Sequence, residues 1–233
     1  MRPIWWTALL FVAAVAPLYG EIRIDEFSDL DEWREVAFPD IDRSSGYSSA
    51  GDGEYLRVSS DSSASMLVLD RMIDVYETPI VRWRWRVDSD VAGADLTAQE
   101  GDDAAIRLYV AFRVPPEELA FGRRLWARVQ ERVYGASPPD SALSFVWTNE
   151  HYDERAFRSS YTDRQFLLLP SPIEGGEQQI GVWAEQRVNL LETYRELFDS
   201  DPPREAYIAI MGDSDNTGGS SEALLDFVSV VAE

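Results

Sequence analysis

Apolar and polar residues alternate most regularly in two segments, 81–87 and 106–114, which are separated by a strongly acidic loop. Period-two alternation is typical of a strand with one buried face and one hydrated face. We expect Trp83 and Trp85 to lie on the buried face of the first strand. If the two strands pair in antiparallel fashion, their hydrated face would carry arginines and Tyr109.

Shorter strands, with turn-forming residues between them, are expected along the rest of the chain. The segment 43–53 is rich in serine, glycine and aspartate, a composition that indicates a loop. Two further strands are expected near the C-terminus, around a loop of Asp, Asn, Ser and Gly. The other expected strands lie near residues 22–24, 55–58, 66–69, 143–147, 166–169 and 180–183.

Two helices interrupt this β pattern. Apolar residues recur at three- and four-residue spacing in residues 115–135, which predicts an amphipathic helix that covers one end of the fold, with a lid or partner-binding helix as the alternative. Asn189 and Glu192 have the spacing of a capping box at the start of the second helix. We therefore predict a mainly β fold, a jelly-roll or galactose-binding-like β-sandwich with two inserted helices.

The N-terminus predicts export. Arg2 precedes an apolar run over residues 4–19, and a small residue, Gly20, precedes the polar chain. This pattern is typical of a signal peptide over residues 1–20, and it is shorter than a membrane span requires. We expect a single mature domain of residues 21–233, periplasmic or secreted, with no transmembrane segment after signal removal.

The charge and cysteine content exclude several classes of function. The net charge is −21, all 21 basic residues are arginine, and cysteine is absent. Such an acidic chain repels nucleic acid and anionic lipid, so neither is expected as a partner. Disulfides, thiol catalysis, thiolate metal sites and a lipid-anchored cysteine are excluded. The sequence leaves the oligomeric state open.

Several motifs occur in an order that resembles a known family. They are VRWRWRVD, GADLTAQEGDDAAIRLYVAF, LSFVWTN, SYTDR and GDSDNTGGSSEALLDFVSV. Together they are similar to a bacterial exported family known as domain of unknown function 3047, over about residues 27–230. The resemblance implies a one-domain exported protein, and it implies no activity, substrate or catalytic residue.

One segment resembles the start of a calcium-binding loop. Oxygen-bearing side chains stand at its first, third and fifth positions, beginning with Asp213 and Asp215, and glycine stands at the sixth. Leu224 occupies the twelfth position, where an EF-hand needs glutamate, so an EF-hand is excluded. Calcium is the cofactor candidate, with Asp213, Asp215 and Asn216 as metal ligands completed by residues from elsewhere. The alternative is a tight turn between two strands.

The acidic loop before the second long strand offers a further candidate site. Asp102 and Asp103 are expected either to pair with arginines such as Arg107 and Arg84, or to face a ligand as a carboxylate pair. Aromatic rings beside Asp, Asn and Arg suit a sugar ring. The candidate ligand-binding residues are therefore Arg107, Tyr109, Trp147, Tyr161, Asp102 and Asp103.

These features favour a non-catalytic β-sandwich that binds a small molecule or glycan, with a carbohydrate or envelope glycan as the expected ligand, and no residue is assigned as catalytic. One alternative is a carbohydrate-active hydrolase that works with carboxylates such as Asp102, Asp103, Asp213 or Asp215. Another is a structural partner in an envelope complex, which would use the helix of residues 117–134.

Overall fold

The computed structural model describes residues 21–115 and 139–232. Within these two ranges the chain forms fourteen strands, one α-helix and a short 3₁₀ turn at Gln99–Gly101. The strands are β1 (Glu21–Asp25), β2 (Trp33–Ala37), β3 (Gly46–Ala50), β4 (Tyr55–Asp61), β5 (Ala64–Leu69), β6 (Ile73–Asp74), β7 (Ile80–Ser89), β8 (Ala104–Arg113), β9 (Ser141–Val146), β10 (Ala156–Arg158), β11 (Gln165–Leu168), β12 (Ala184–Asn189), β13 (Glu205–Asp213) and β14 (Ser220–Val231), and the helix is α1 (Leu190–Phe198).

The strands form two sheets that pack face to face. The six-stranded sheet has the order β12-β7-β14-β4-β3, and β1 also pairs with β14, so the first and last strands are neighbours. The eight-stranded sheet has the order β10-β11-β9-β8-β13-β5-β2, with β6 also paired to β13. Among the described strands, β9 and β11 form the parallel pair and the other pairs are antiparallel. The predicted mainly β, jelly-roll sandwich is confirmed.

Tryptophans of β7 join the two sheets. Trp83 and Trp85 are fully buried, as predicted, and their rings meet edge to face at 5.3 Å. The Trp83 ring also lies 4.9 Å from the ring of Phe145 in β9, which belongs to the opposite sheet. Aromatic side chains bury large apolar areas, so these contacts form the centre of the core.

The predicted pairing of the two long strands is wrong. β7 pairs with β12 and β14 in the six-stranded sheet, whereas β8 pairs with β9 and β13 in the eight-stranded sheet. The acidic loop of residues 90–103 therefore crosses from one sheet to the other. Period-two alternation identifies which face of a strand is buried, but it carries no information on the neighbouring strand.

The two strands also differ in their outer faces. On β7, Arg84 and Arg86 are only partly buried and pair with Asp226 and Asp88 at 3.0 and 2.7 Å, respectively. β8 is buried on both faces over most of its length. Tyr109 is 7% exposed and packs in a small cluster on the outer side of the eight-stranded sheet, so the expectation of a hydrated face is wrong for β8.

Local structure confirms some sequence predictions and corrects others. The helix α1 begins as predicted, because Asn189 Oδ1 accepts hydrogen bonds from the backbone N–H groups of Leu191 and Glu192 at 3.1 and 3.2 Å. The strand predicted at 180–183 is absent: residues 180 and 181 form a turn, with Gly181 at a φ of +77°, and β12 begins only at Ala184. The segment expected as a loop at 43–53 contains β3, which pairs with β4.

The predicted helix of residues 115–135 and the predicted signal peptide of residues 1–20 lie outside the described residues, apart from the non-helical Pro115. In the ranges that the structure does cover, α1 is too short to cross a bilayer, and no other helix there has the length and apolar character to do so.

Replacing Trp83 with alanine should destabilise the fold strongly. The ring is fully buried between the sheets, so its loss should lower the free energy of unfolding by about 3–5 kcal/mol. Trp183→Ala is the matched control, because that ring is only partly buried and lies beneath Arg84; about 1 kcal/mol or less is expected. Urea unfolding measures both, and equal losses would contradict the central role of Trp83.

Candidate functional site

Three loops meet at the end of the sandwich where β8 begins and β13 ends. They are the β7–β8 loop (90–103), the β10–β11 loop (159–164) and the β13–β14 loop (214–219). The backbone oxygen of Gln99 accepts hydrogen bonds from the Tyr161 hydroxyl at 3.1 Å and from Asn216 Nδ2 at 2.9 Å. This one carbonyl therefore ties the three loops together.

A tight turn positions the two consecutive aspartates. The carbonyl oxygen of Gly101 accepts hydrogen bonds from the N–H groups of Asp95 and Asp103, both at 2.7 Å. A Cβ atom at Gly101 would lie 2.9 Å from the backbone nitrogen of Asp95, so this close approach requires glycine. After this turn the side chain of Asp102 contacts Arg107, whereas that of Asp103 contacts the β13–β14 loop.

Arg107 is buried in an ion-pair network beneath the loops. Its guanidinium donates to the backbone oxygen and to Oδ1 of Asp102 at 2.6 and 2.8 Å. It also lies 3.4 Å from Oδ2 of Asp213, and its side chain is only 2% exposed. The predicted pairing of the acidic loop with Arg107 is confirmed, whereas Arg84 pairs with Asp226 instead.

Asp103 holds the β13–β14 loop by its backbone. Its Oδ1 accepts a hydrogen bond from the N–H of Asn216 at 3.2 Å, and its Oδ2 accepts one from the N–H of Thr217 at 2.7 Å. The residue is fully buried. A buried carboxylate that accepts two backbone N–H groups orders the loop that donates them.

Three carboxylates converge beside this loop. One oxygen from each of Asp103, Asp213 and Asp215 lies within 4.8 Å of the other two. Burial raises the pKa of Asp213 well above its usual range; Arg107 opposes this increase, and the carboxylates of Asp215 and Asp103 add to it. The sequence expectation grouped Asp213, Asp215 and Asn216, and the structure brings Asp103 of the β7–β8 loop to the two aspartates.

Tyr161 is the exposed aromatic residue of this end. Its side chain is 53% exposed, yet its hydroxyl is held by Gln99 and lies 3.0 Å from Asn216 Nδ2. We refer to Tyr161 and Asn216 together as the Tyr161 platform. Its ring face is available to a ligand while its position is defined by hydrogen bonds.

Two other aromatic candidates offer no free ring. Trp147 is 1% exposed and belongs to the main core, and Tyr109 is covered by its cluster on the outer side of the sheet. Trp147 directly follows β9, which is buried along its whole length. In such a strand no alternation of apolar and polar residues shows which way a ring points. The structure therefore corrects the expectation that Trp147 and Tyr109 line a cleft.

A serine-lined groove was not anticipated from the sequence. It has a volume of about 540 Å³, and Ser220, which directly follows the β13–β14 loop, is part of its lining. Runs of serine at 59–65 and 220–221 were the available signal, but serine is also common in turns. The groove is lined by Arg43, Ser44, Gly46, Ser59, Ser60, Asp61, Ser63, Ser89, Ser220, Ser221 and Glu222.

Comparison of the sequence with protein families identifies one match. Residues 31–228 match the family described as "Protein of unknown function (DUF3047)", so the chain belongs to this family, as the motifs indicated. No curated protein matches the chain.

Solved structures with a similar arrangement of strands include carbohydrate-binding modules, lectins and the enzymatically active domain of bacteriophage CBA120 tailspike protein 4. The family 11 carbohydrate-binding module of cellulosomal cellulase Lic26A-Cel5E of Clostridium thermocellum is 11% identical with a TM-score of 0.43; the alignment covers 92% of this chain and 95% of that one. Winged bean acidic lectin, complexed with methyl-α-D-galactose, is 9% identical with a TM-score of 0.45, over 92% and 100%. Both TM-scores are below 0.5, so these similarities do not identify the ligand of this chain.

Arg107→Ala should destabilise the protein far more than the same change at an exposed arginine. Removal of the guanidinium leaves Asp102 and Asp213 buried without their cation, and we expect a loss of about 3–5 kcal/mol in the free energy of unfolding. Arg84→Ala is the control, because its pair with Asp226 is partly exposed and should contribute about 1 kcal/mol or less. Denaturant titration measures both; a mild effect at Arg107 would refute its structural role.

Proposed function

We propose that this protein binds a carbohydrate or envelope glycan without catalysing a reaction, and that the Tyr161 platform is its contact surface. The observation that carries the proposal is an aromatic ring that is 53% exposed and yet fixed through its hydroxyl. A ring held in place before binding loses little conformational entropy when a ligand stacks on it. Such a ring is suited to the apolar face of a sugar.

The chemistry around the platform supports a neutral, hydroxyl-rich ligand. Asn216 is exposed and holds its side-chain oxygen near the Tyr161 hydroxyl, and the serine-lined groove includes Ser220, which directly follows the same loop. Serine hydroxyls both donate and accept hydrogen bonds, as sugar hydroxyls do. The net charge of −21 disfavours anionic polymers as ligands.

Neither alternative function gains support from a particular contact. A glycosidase needs two carboxyl groups that face the same bond of the substrate, yet Asp102, Asp103 and Asp213 are buried, and the first two are already engaged by Arg107 and by backbone N–H groups. Of the four candidate carboxylates, Asp215 is the one that is partly exposed. The helix that an envelope complex would use lies outside the described residues. Binding without turnover is therefore the function that we propose.

We also propose that the protein is exported and acts in the periplasm or outside the cell. If the signal peptide is cleaved after Gly20, intact mass spectrometry of the protein recovered from its native host should give a chain that begins at Glu21. Recovery of a chain that still carries Met1 or Arg2 in the cytoplasmic fraction would contradict this proposal.

Glycan binding can be tested with an array of neutral and charged glycans, followed by calorimetry with the best neutral ligand. Tyr161→Ala should weaken binding about tenfold or more, because the stacking face is lost. Tyr76→Ala is the matched control: this tyrosine is also exposed, its hydroxyl donates to the carbonyl oxygen of Pro202, and it lies near the opposite end of β13.

The outcomes separate the alternatives. Loss of affinity in Tyr161→Ala alone, with the ligand recovered intact by mass spectrometry, supports a binding protein. Shortened ligand after incubation would favour the hydrolase, and Asp102→Asn and Asp215→Asn would then be tested for loss of rate. Absence of binding to every neutral glycan, at both low and high salt, would refute the proposal.

A further inference from the structure

We propose that Asp103, Asp213 and Asp215 bind one divalent cation, with Ca²⁺ as the ion of best fit, where the β7–β8 loop meets the end of β13. This site differs from the one that the sequence suggested, because it takes Asp103 from a distant loop, while the side chain of Asn216 is hydrogen-bonded to Gln99 and Tyr161. It goes beyond the proposed glycan binding and does not depend on it.

The spacing of the oxygens suits a calcium ion. One oxygen of each carboxylate lies within 4.8 Å of the other two. Ca²⁺ binds oxygens at about 2.3–2.6 Å, so two oxygens on opposite sides of one ion are about 4.6–5.2 Å apart. The separations in the cluster do not exceed this span. Ca²⁺ also tolerates irregular, flexible coordination, whereas Mg²⁺ demands near-ideal octahedral geometry. The cluster can therefore surround Ca²⁺ with little rearrangement.

A second observation points independently to a ligand at this position. The side chain of Asp213 is only 6% exposed, and its Oδ2 faces Arg107. Its Oδ1 is buried, yet it accepts no hydrogen bond from any of the described residues. A buried carboxylate oxygen without a partner is costly, and native structures rarely leave one unsatisfied. A bound cation would satisfy it.

The charges of the cluster lead to the same conclusion. Arg107 is already bound closely by Asp102, and its contact with Asp213 is the longer one. The single charge of Arg107 is shared between Asp102 and Asp213, so it does not also balance Asp103 and Asp215, and a dication would neutralise most of the remaining charge. The raised pKa of Asp213 is what such crowding and burial produce. The competing arrangement is a proton shared between Asp213 and Asp215.

The ion would have a route to solvent, and Asn216 would not bind it with its amide. Asp215 is partly exposed at the edge of the cluster, so water could complete the coordination there. The Nδ2 of Asn216 donates to the Gln99 carbonyl oxygen and to the Tyr161 hydroxyl, and its Oδ1 lies 3.5 Å from the same hydroxyl, so the side chain is directed to Tyr161. Bound Ca²⁺ would therefore hold the β13–β14 loop at Asp215, directly before Asn216 of the Tyr161 platform.

The test uses the purified protein stripped with a chelator and no glycan. Calorimetry with CaCl₂ at constant ionic strength should give one site per chain, and MgCl₂ should bind at least tenfold more weakly. Free Ca²⁺ at 100 times its Kd should raise the Tm by about 5–10 °C, because the ion binds only the folded state. An equal rise with NaCl, MgCl₂ and CaCl₂ would mean simple charge screening and would overturn the proposal.

Variants assign the binding to this cluster. Asp215→Asn should weaken Ca²⁺ binding at least tenfold, whereas Glu100→Gln, which removes one exposed charge from the β7–β8 loop, should leave it unchanged. Asp213→Asn provides a second test: it should abolish the Ca²⁺-dependent rise in Tm without lowering the Tm measured in chelator. Unchanged Ca²⁺ affinity in Asp215→Asn and Asp213→Asn, or no calorimetric binding at all, would favour a shared proton and refute the ion site.

The two proposals can fail separately. Loss of glycan binding in Tyr161→Ala with intact Ca²⁺ binding supports both. Ca²⁺ binding without any glycan ligand would refute the proposed function alone.

Discussion

The β7–β8 loop carries the chain from one sheet to the other, and both the core and the candidate site depend on this crossing. β7 and β8 are long inner strands of opposite sheets, and residues 90–103 connect them. Because the crossing ends in a tight turn at Gly101, Asp102 and Asp103 enter the start of β8 side by side. One contacts the buried Arg107, and the other holds the β13–β14 loop. The same loop therefore joins two strands of the core and supplies two side chains of the candidate site.

Buried charge is concentrated at this end of the sandwich. Arg107, Asp102, Asp103 and Asp213 are each less than 5% exposed, in a chain where most described ion pairs are at least partly exposed. Pairs at the surface contribute little to stability, whereas a buried charge is tolerated only with close partners. The cluster carries more negative charge than Arg107 can balance. This imbalance distinguishes a site that can hold a ligand from a network that serves stability alone.

The aromatic residues divide between core and surface in a way that bears on function. Trp83, Trp85 and Trp147 fill the space between the sheets, so most of the large rings near the site serve packing. Tyr161 is left at the surface, and its hydroxyl is tied to the loops that the carboxylates organise. The polar and aromatic surface that we propose for glycan binding thus rests on the same loop contacts as the proposed ion site.

The sequence by itself determined the class of fold, the burial of Trp83 and Trp85, the start of α1, the pairing of the acidic loop with Arg107 and the family. These features depend on local patterns: alternation along a strand, capping by Asn189, and a carboxylate five residues from an arginine. Tertiary structure alone decided that β7 and β8 lie in opposite sheets, because alternation reveals the buried face and not the neighbouring strand. It also decided that Asp103 joins Asp213 and Asp215, residues more than a hundred positions away, since only the folded sandwich brings those two loops together.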